Sequence, residues 1–272
     1  MSACVSFLDG QIQLYCGDAR DVVPKLNRKF RVGCFDAPYL LTSGGAARAS
    51  EKHKVMSGGW MADYDNSGRL MEVDISWREV MQLAVTCLET DADVYAFAND
   101  KNQYEAQTEA FAAGLKFHNL LVWDKKTATA NGWYMKNCEF VLYFFQGRAR
   151  RIANCGDKQL VTFPHRDETN HPTEKPVPLI ESYIRNSARP GEDVIDMFMG
   201  SGTAALACIR TGNSFVGVEK DPKHFETARR RVERAIKEHQ IDLSGYRRGR
   251  DRSPVQQCDL EDFVGTKGVR AC

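Results

Sequence analysis

Short β-branched or aromatic runs alternate with longer stretches of helical period along most of the 272 residues. Strand-like runs fall at 12–16, 32–35, 94–98, 119–123, 140–144, 193–196 and 214–218, and helical patterns at 21–26, 76–88, 102–113, 178–186, 203–211 and 222–238. The alternation predicts an α/β sheet. The last helix opens with an N-cap residue, Asp221, and with Pro222 at its first position, where a missing N–H costs nothing. Two stretches break the pattern. Residues 41–73 are rich in Gly, Ala and charge, and a connection of that length inside a compact domain is more often functional than idle. The tail after residue 240 reads SGYRRGRDRSPVQQ and predicts a weakly ordered basic extension.

Composition narrows the partners. With 37 Lys and Arg against 36 Asp and Glu, the net charge is +1, so a nucleic-acid binder of this balance must concentrate positive charge locally. Arginines cluster at 148–151, 229–231 and 247–252, and each cluster reads equally well as a solvated face or tail. Nine scattered cysteines without a CxxC pair argue against structural zinc and against a disulfide scaffold; no metal is expected. The first residues carry no signal-peptide pattern and no run approaches about 18 apolar residues, so the expectation is a cytoplasmic protein with no membrane span.

The segment DVIDMFMGSGT at 193–203 runs from an apolar strand into a turn with Gly200 and Gly202, then into a helix. Glycines there let the backbone approach a ligand that a Cβ would exclude. About twenty residues on, FVGVE ends a strand at Glu219, where a carboxylate can accept hydrogen bonds from both ribose hydroxyls of a nucleoside. Thr203 and Ala204 stand where a dinucleotide fingerprint wants another glycine, and no GlyLys(Ser/Thr) follows for a phosphate loop. Asp196, ahead of the glycines, suits the ammonium of an amino-acid moiety.

A second strand, VGCFDAPY at 32–39, ends at Asp36 and is broken by Pro38. That places a carboxylate at the carboxyl end of a sheet strand, where open α/β folds bind ligands. An aromatic amine is a poor nucleophile because its lone pair is delocalised into the ring. Asp36 and one backbone carbonyl accepting its two N–H groups would free that pair, while Tyr39 could stack on a base lifted from the duplex. Read without that chemistry, the string is an ordinary strand-terminating turn.

The residues resemble the beta class of DNA amino-methyltransferases. AspAlaProTyr at 36–39 matches the family's catalytic motif, and HisProThrGluLysPro at 171–176 followed by DVIDMFMGSGT matches the segment entering its cofactor loop. Gly17–Asp18, LVWDKK at 121–126 and VLYFFQGR at 141–148 after Glu139 resemble weaker motifs. The resemblance implies a Rossmann-like methyltransferase fold with a mostly parallel seven-stranded sheet in circularly permuted order, using S-adenosylmethionine. It implies that Asp36, Ala37, Pro38 and Tyr39 hold the target base. Asp36, Asp196, Phe198, Gly200, Ser201, Gly202, Thr203 and Glu219 would line the cofactor, with Asp18 near its adenine and Lys175 near its carboxylate. The family usually has Pro where this chain has Ala37; the backbone carbonyl is kept and the turn is less fixed. Aspartate at the first motif position favours adenine N6, with cytosine N4 the alternative and RNA methylation or a non-catalytic nucleic-acid binder more remote.

Residues 1–240 then form the catalytic domain, with a DNA-recognition insertion at about 41–75, and 241–272 the basic tail. Within the insertion Arg48, Lys52, Lys54 and Trp60 combine charge and stacking surface beside the catalytic turn. The expected partner is double-stranded DNA, the source a bacterium or its phage; a homodimer is allowed by the sequence and not demanded by it.

Overall fold

The computed structural model describes residues 3–38, 74–129, 134–163 and 175–238. Tyr39, Arg48, Lys52, Lys54, Trp60, the rest of 39–73 and the tail from 239 onward lie outside the described residues.

The described residues build one sheet in the order β1-β2-β9-β8-β3-β4-β6-β5-β7. The strands are β1 (Ala3–Phe7), β2 (Ile12–Cys16), β3 (Phe30–Phe35), β4 (Leu88–Ala98), β5 (Lys116–Thr129), β6 (Lys136–Phe145), β7 (Leu160–Thr162), β8 (Asp193–Asp196) and β9 (Ser214–Glu219). The helices are α1 (Ala19–Val22), α2 (Trp77–Cys87), α3 (Gln103–Ala112), α4 (Val177–Ser187), α5 (Thr203–Thr211) and α6 (Pro222–Glu238). Pairing is parallel from β2 through β9, β8 and β3 to β4, and antiparallel where β6 inserts between β4 and β5. The seven expected strands are therefore present, β2 to β5 in sheet order. Two short edge strands, β1 antiparallel to β2 and β7 parallel to β5, are added outside them.

The sheet is covered on both faces, and period-2 alternation sorts its side chains between them. Tyr95, Phe97, Val194 and Phe215 join Leu179, Ile184, Ala205, Cys208 and Val232 of α4, α5 and α6 in one core. Val94, Ala96, Ala98, Ile195, Val216 and Val218 join Val80, Met81, Ala84, Ala106 and Ala110 of α2 and α3 in the other. Helix starts follow local chemistry. At α2 the Glu79 carboxylate accepts the Ser76 N–H at 2.9 Å, and Ser76 Oγ accepts the Glu79 N–H at 3.3 Å, a reciprocal cap. At α6 Asp221 Oδ1 accepts the Lys223 N–H at 2.7 Å, as its N-cap position predicts. The expected helix 21–26 is split: α1 ends at Val22 and a 3₁₀ turn, Val23–Lys25, carries Pro24.

The chain order places the site. β8 leads through α5 to β9 on one side, and β3 leads through α2 to β4 on the other. Because β3 and β8 are themselves neighbours, the connections diverge there and leave a crevice at their carboxyl ends, where open α/β sheets bind ligands.

Candidate active site

A cavity of about 520 Å³ occupies that crevice, a size ordinary for a small-molecule site. Its wall takes Asp36, Ala37 and Pro38 from the end of β3, and Asp196, Phe198, Gly200, Ser201 and Thr203 from the turn after β8. Glu219 comes from the end of β9, Asp18 from the end of β2, and Lys175 from the entry to α4. Gly202 lies within the same turn as the N-cap of α5. Of the expected site residues, all but Tyr39 and the four DNA-binding candidates are thus brought together; those five lie outside the described residues.

The turn after β8 requires its glycines. Gly200 and Gly202 have φ of +50° and +82°, the left-handed region that side chains disfavour. A Cβ on Gly202 would also stand 2.9 Å from Ala228 Cβ of α6. Glu219 holds this turn in shape. Its Oε2 accepts the Gly200 N–H at 2.9 Å and its Oε1 the Asp221 N–H at 2.8 Å. Each carboxylate oxygen keeps a second lone pair, so two hydroxyls can still be accepted. Asp196 Oδ1 takes the Phe198 N–H at 2.9 Å and braces the turn from the other strand.

One support came from a residue the arginine clusters had disguised. Arg231 is buried, and its Nη1 donates to the Ser201 carbonyl at 3.0 Å and to Ser201 Oγ at 3.1 Å. Its neighbours Arg229 and Arg230 pair along α6 with Glu226. Arg148 and Arg150 pair with Asp91 and Asp93. These two basic clusters are therefore engaged largely within the fold.

Electrostatics in the cavity are dominated by buried carboxylates. Burial pushes Asp196 well above the usual carboxylate range, against the Phe198 N–H, with Asp36 and Glu219 adding to the rise. Burial also raises Glu219, against the hydrogen bonds from Asp221 and Gly200. Asp36 is raised by burial as well, although the Lys175 ammonium opposes it. That ammonium lies 2.6 Å from Asp36 Oδ2 and 3.2 Å from Glu139 Oε2. The resemblance implies a place for Lys175 near the cofactor's carboxylate; two protein carboxylates are what the structure puts beside it. Asp36 Oδ1 is buried and has no hydrogen-bond partner among the described residues. The Cys34 thiol, also in the wall, is pushed well up by burial, so it is a neutral surface rather than a nucleophile.

At the rim Asp18 caps α1, accepting the Arg20 N–H at 2.9 Å. The Arg20 guanidinium, at 2.7 Å, holds the Asp18 carboxyl well below the usual range despite partial burial, with Lys220 at 3.3 Å assisting. Arg20 and Lys220 both also reach Asp74. No sequence spacing announced this four-residue cluster, because its members come from three separated segments.

Three carboxylates, Asp196 buried and Asp36 and Glu219 half-buried, against one enclosed ammonium favour a ligand carrying positive charge. The left-handed glycine turn gives its backbone close access, and Glu219 retains acceptor capacity for hydroxyls. Those properties fit S-adenosylmethionine, with its sulfonium, ammonium and ribose. Among the described residues no group of His, Cys, Asp and Glu could hold a metal ion, and no helix is long and apolar enough to cross a membrane.

Known proteins share this fold. The chain is similar to the type II methyltransferase M2.DpnII of Streptococcus pneumoniae, 24% identical over 218 residues that cover 73% of this chain and 80% of that protein. It is 22% identical over 217 residues to M2.LlaDCHI of Lactococcus lactis subsp. cremoris, covering 72% and 80%. Among solved structures, the complex of M1.HpyAVI with SAM superposes with a TM-score of 0.62 at 21% identity, covering 81% of this chain and 99% of that one. The cytosine-N4-specific PvuII DNA methyltransferase superposes with a TM-score of 0.61 at 14% identity, covering 88% and 92%. At such identities the superpositions establish the fold. The N6/N4 methyltransferase family, described as DNA methylase, matches residues 34–230, most of the chain from the strand bearing Asp36 to the helix bearing Arg231. The chain belongs to this family of S-adenosylmethionine-dependent DNA methylases.

Proposed function

We propose that the chain methylates adenine N6 of a base flipped out of double-stranded DNA, and that Asp36 is the acceptor for the target amine. The observation that carries the reading is the place of Asp36, at the end of β3 in the wall of the cavity shared with the glycine turn, together with its Oδ1, which lacks a partner among the described residues. Leaving such an acceptor unpaired costs free energy, which a ligand N–H recovers.

Bound S-adenosylmethionine supplies an electrophilic methyl group on a positively charged sulfur. Glu219 would hold the ribose hydroxyls, Asp196 the ammonium, and the Gly200–Gly202 turn the backbone approach. Asp36 Oδ1 accepts one N–H of the exocyclic amine and the Ala37 carbonyl the other, drawing nitrogen toward tetrahedral geometry. The methylated amine would carry one proton too many, and Asp36, raised by burial, would be a competent acceptor for it. Positioning and preorganised charge supply the rate enhancement, with no nucleophile required. Tyr39 stacks on the flipped base, and Arg48, Lys52, Lys54 and Trp60 of the 41–75 insertion contact the duplex. Aspartate at the motif's first position supports adenine over cytosine.

Single-turnover methylation of duplex DNA, followed by analysis of the product nucleosides, tests the reading. Wild-type protein should yield N6-methyladenine. Asp36→Ala should keep its fold and its cofactor affinity and lose about 10²-fold or more in the methyl-transfer rate. N4-methylcytosine in the product would reassign the target amine. A folded Asp36→Ala protein that methylates at the normal rate would end the mechanism.

A further inference from the structure

Four charges from four separate segments run in a chain beneath the cavity. Lys125 of β5 pairs with Glu139 of β6, Glu139 Oε2 stands 3.2 Å from Lys175 Nζ, and Lys175 Nζ stands 2.6 Å from Asp36 Oδ2. The Lys175 side chain is 8% exposed, and its ammonium lies 5.1 Å from the centre of the Phe97 ring. An ammonium this deep is tolerated only when paired and hydrogen-bonded. Two cations and two anions alternate, so the chain is neutral as a unit.

We propose that Lys175 and Glu139 are positioning residues for Asp36. Glu139 holds Lys175, and Lys175 fixes Asp36 through Oδ2, leaving Oδ1 as the acceptor for the target amine. The inference rests on the reading of Asp36 given above and assigns Lys175 to the base-binding half of the site.

A bare carboxylate in this position would turn freely about its Cα–Cβ and Cβ–Cγ bonds, and burial would favour its protonated form, which could then donate instead of accept. Lys175 removes both failings. It pins one oxygen, and its charge favours the ionised form. Glu139 in turn is kept ionised: burial raises it most, but Lys175 and Lys125 together outweigh that and hold it below its ordinary value. Without Glu139, the Lys175 side chain would have one carboxylate fewer to fix its direction. The groups that face Asp36 from the surrounding elements are Lys175, Glu139 and Lys125, together with Asp196 on β8 and the neutral Cys34 thiol on β3.

The arrangement makes two substitutions move the same titration in opposite directions. Methylation requires ionised Asp36, so the rate falls as pH drops through its pKa. Lys175→Met removes the cation that lowers that pKa, and the acid limb moves to higher pH. Glu139→Gln removes the anion that raises it, and the limb moves to lower pH. Each displacement should be about one pH unit or more for charges this close.

The test is single-turnover methylation of duplex DNA by the full chain across about pH 5–9, with calorimetric S-adenosylmethionine affinity and a melting curve for each variant. The expected result is opposite displacement of the two limbs, partial recovery of the Lys175→Met rate at high pH, where ionisation but not positioning is restored, and cofactor affinity within about threefold of wild type. An unmoved limb in Lys175→Met with cofactor affinity down by about tenfold would overturn the proposal and assign Lys175 to the cofactor's carboxylate. Displacement of both limbs in the same direction would also overturn it. If Lys175→Met does not fold, Glu139→Gln carries the decision alone: a limb moved to lower pH supports the proposal and an unmoved one overturns it. Failure of the underlying reading shows elsewhere, in an Asp36→Ala protein that methylates normally.

Discussion

Neighbouring strands of this sheet bury two aspartates in opposite ways. Asp93 on β4 is sealed: Arg150 Nη2 reaches its Oδ2 at 3.0 Å and the Ser187 carbonyl at 2.7 Å. Around it the rings of Tyr183, Tyr95 and Tyr143 stack with centroid spacings of 4.8 and 4.7 Å, and Tyr95 shares a hydrogen bond of 2.7 Å with Ser187. Burial pushes Asp93 up to about 6, with Ser187, Arg31 and Tyr143 pulling the other way. Asp36, just past the end of adjacent β3, is raised by burial too, but its side chain is 25% exposed and lines the cavity. In both residues Oδ1 is buried without a hydrogen-bond partner among the described residues, so an orphaned oxygen does not distinguish them. What fills the adjoining space does. Asp93 is closed in by rings and a shared arginine, whereas Asp36 stands beside open space that a ligand donor can enter.

That contrast predicts separable effects. The largest falls at the sealed end. Arg150→Ala leaves Asp93 unpaired and strips a donor from the Ser187 and Asp91 carbonyls. Stability should fall by roughly 2–3 kcal/mol, less than for a fully buried pair because Arg150 is one-third exposed. Urea unfolding measures the loss. Cofactor affinity of the remaining folded protein should be unchanged, and a variant that lost affinity but kept its stability would break the comparison.

Next comes Glu219→Ala at the open end. It removes a charged acceptor from the ribose site, on the order of 1.5–3 kcal/mol or at least tenfold in S-adenosylmethionine affinity. The Gly200 and Asp221 N–H groups lose their partner as well, and both can turn to water at the cavity. Calorimetry should therefore show a larger change than the melting curve does. Unaltered affinity would remove Glu219 from the cofactor site.

The two ends also differ in how legible they were. β2, β8, α5 and α6 begin and end where the hydrophobic period places them, because their signals are local. β4 starts six residues before its predicted beginning, since Asp91 and Asp93 interrupt the apolar run with side chains whose partners lie on other elements. β5 extends beyond both predicted ends through Lys116, His118, Lys125 and Lys126, polar positions that an outer antiparallel strand tolerates. β1 and β7, five and three residues long, carry too short a pattern to register. At the site, Asp36, Asp196, Gly200 and Glu219 could be found because strand-end acids and turn glycines have a fixed order along the chain. The Asp36–Lys175–Glu139 contacts join residues 139 and 36 positions apart, and Arg231 hid in a basic run; such pairings exist only after folding.

The smallest predicted effect sharpens the comparison most, because its sign is unusual for a change in an active site. Asp36 has a folded-state pKa raised above its unfolded value, chiefly by burial. The folded protein therefore binds that proton more tightly than the unfolded chain does. Below the ordinary carboxylate range both states are protonated and the group contributes nothing. As pH rises through the folded pKa, the charge must be carried in a buried site, and folding loses stability. Asp36→Asn removes the charge while keeping the shape, and Lys175 keeps Glu139 as its partner. At about pH 8 the variant should be more stable than wild type, a gain that shrinks toward zero near pH 4. Its methylation rate should be severely reduced over the same range. Asp93 is raised by burial as well, to about 6, so the same linkage gives Asp93→Asn a gain at about pH 8, set against the loss of its pair with Arg150. Chemical denaturation of both variants at the two pH values measures each balance. If Asp36→Asn were destabilised at the higher pH, the Lys175 pairing would be stabilising the fold outright.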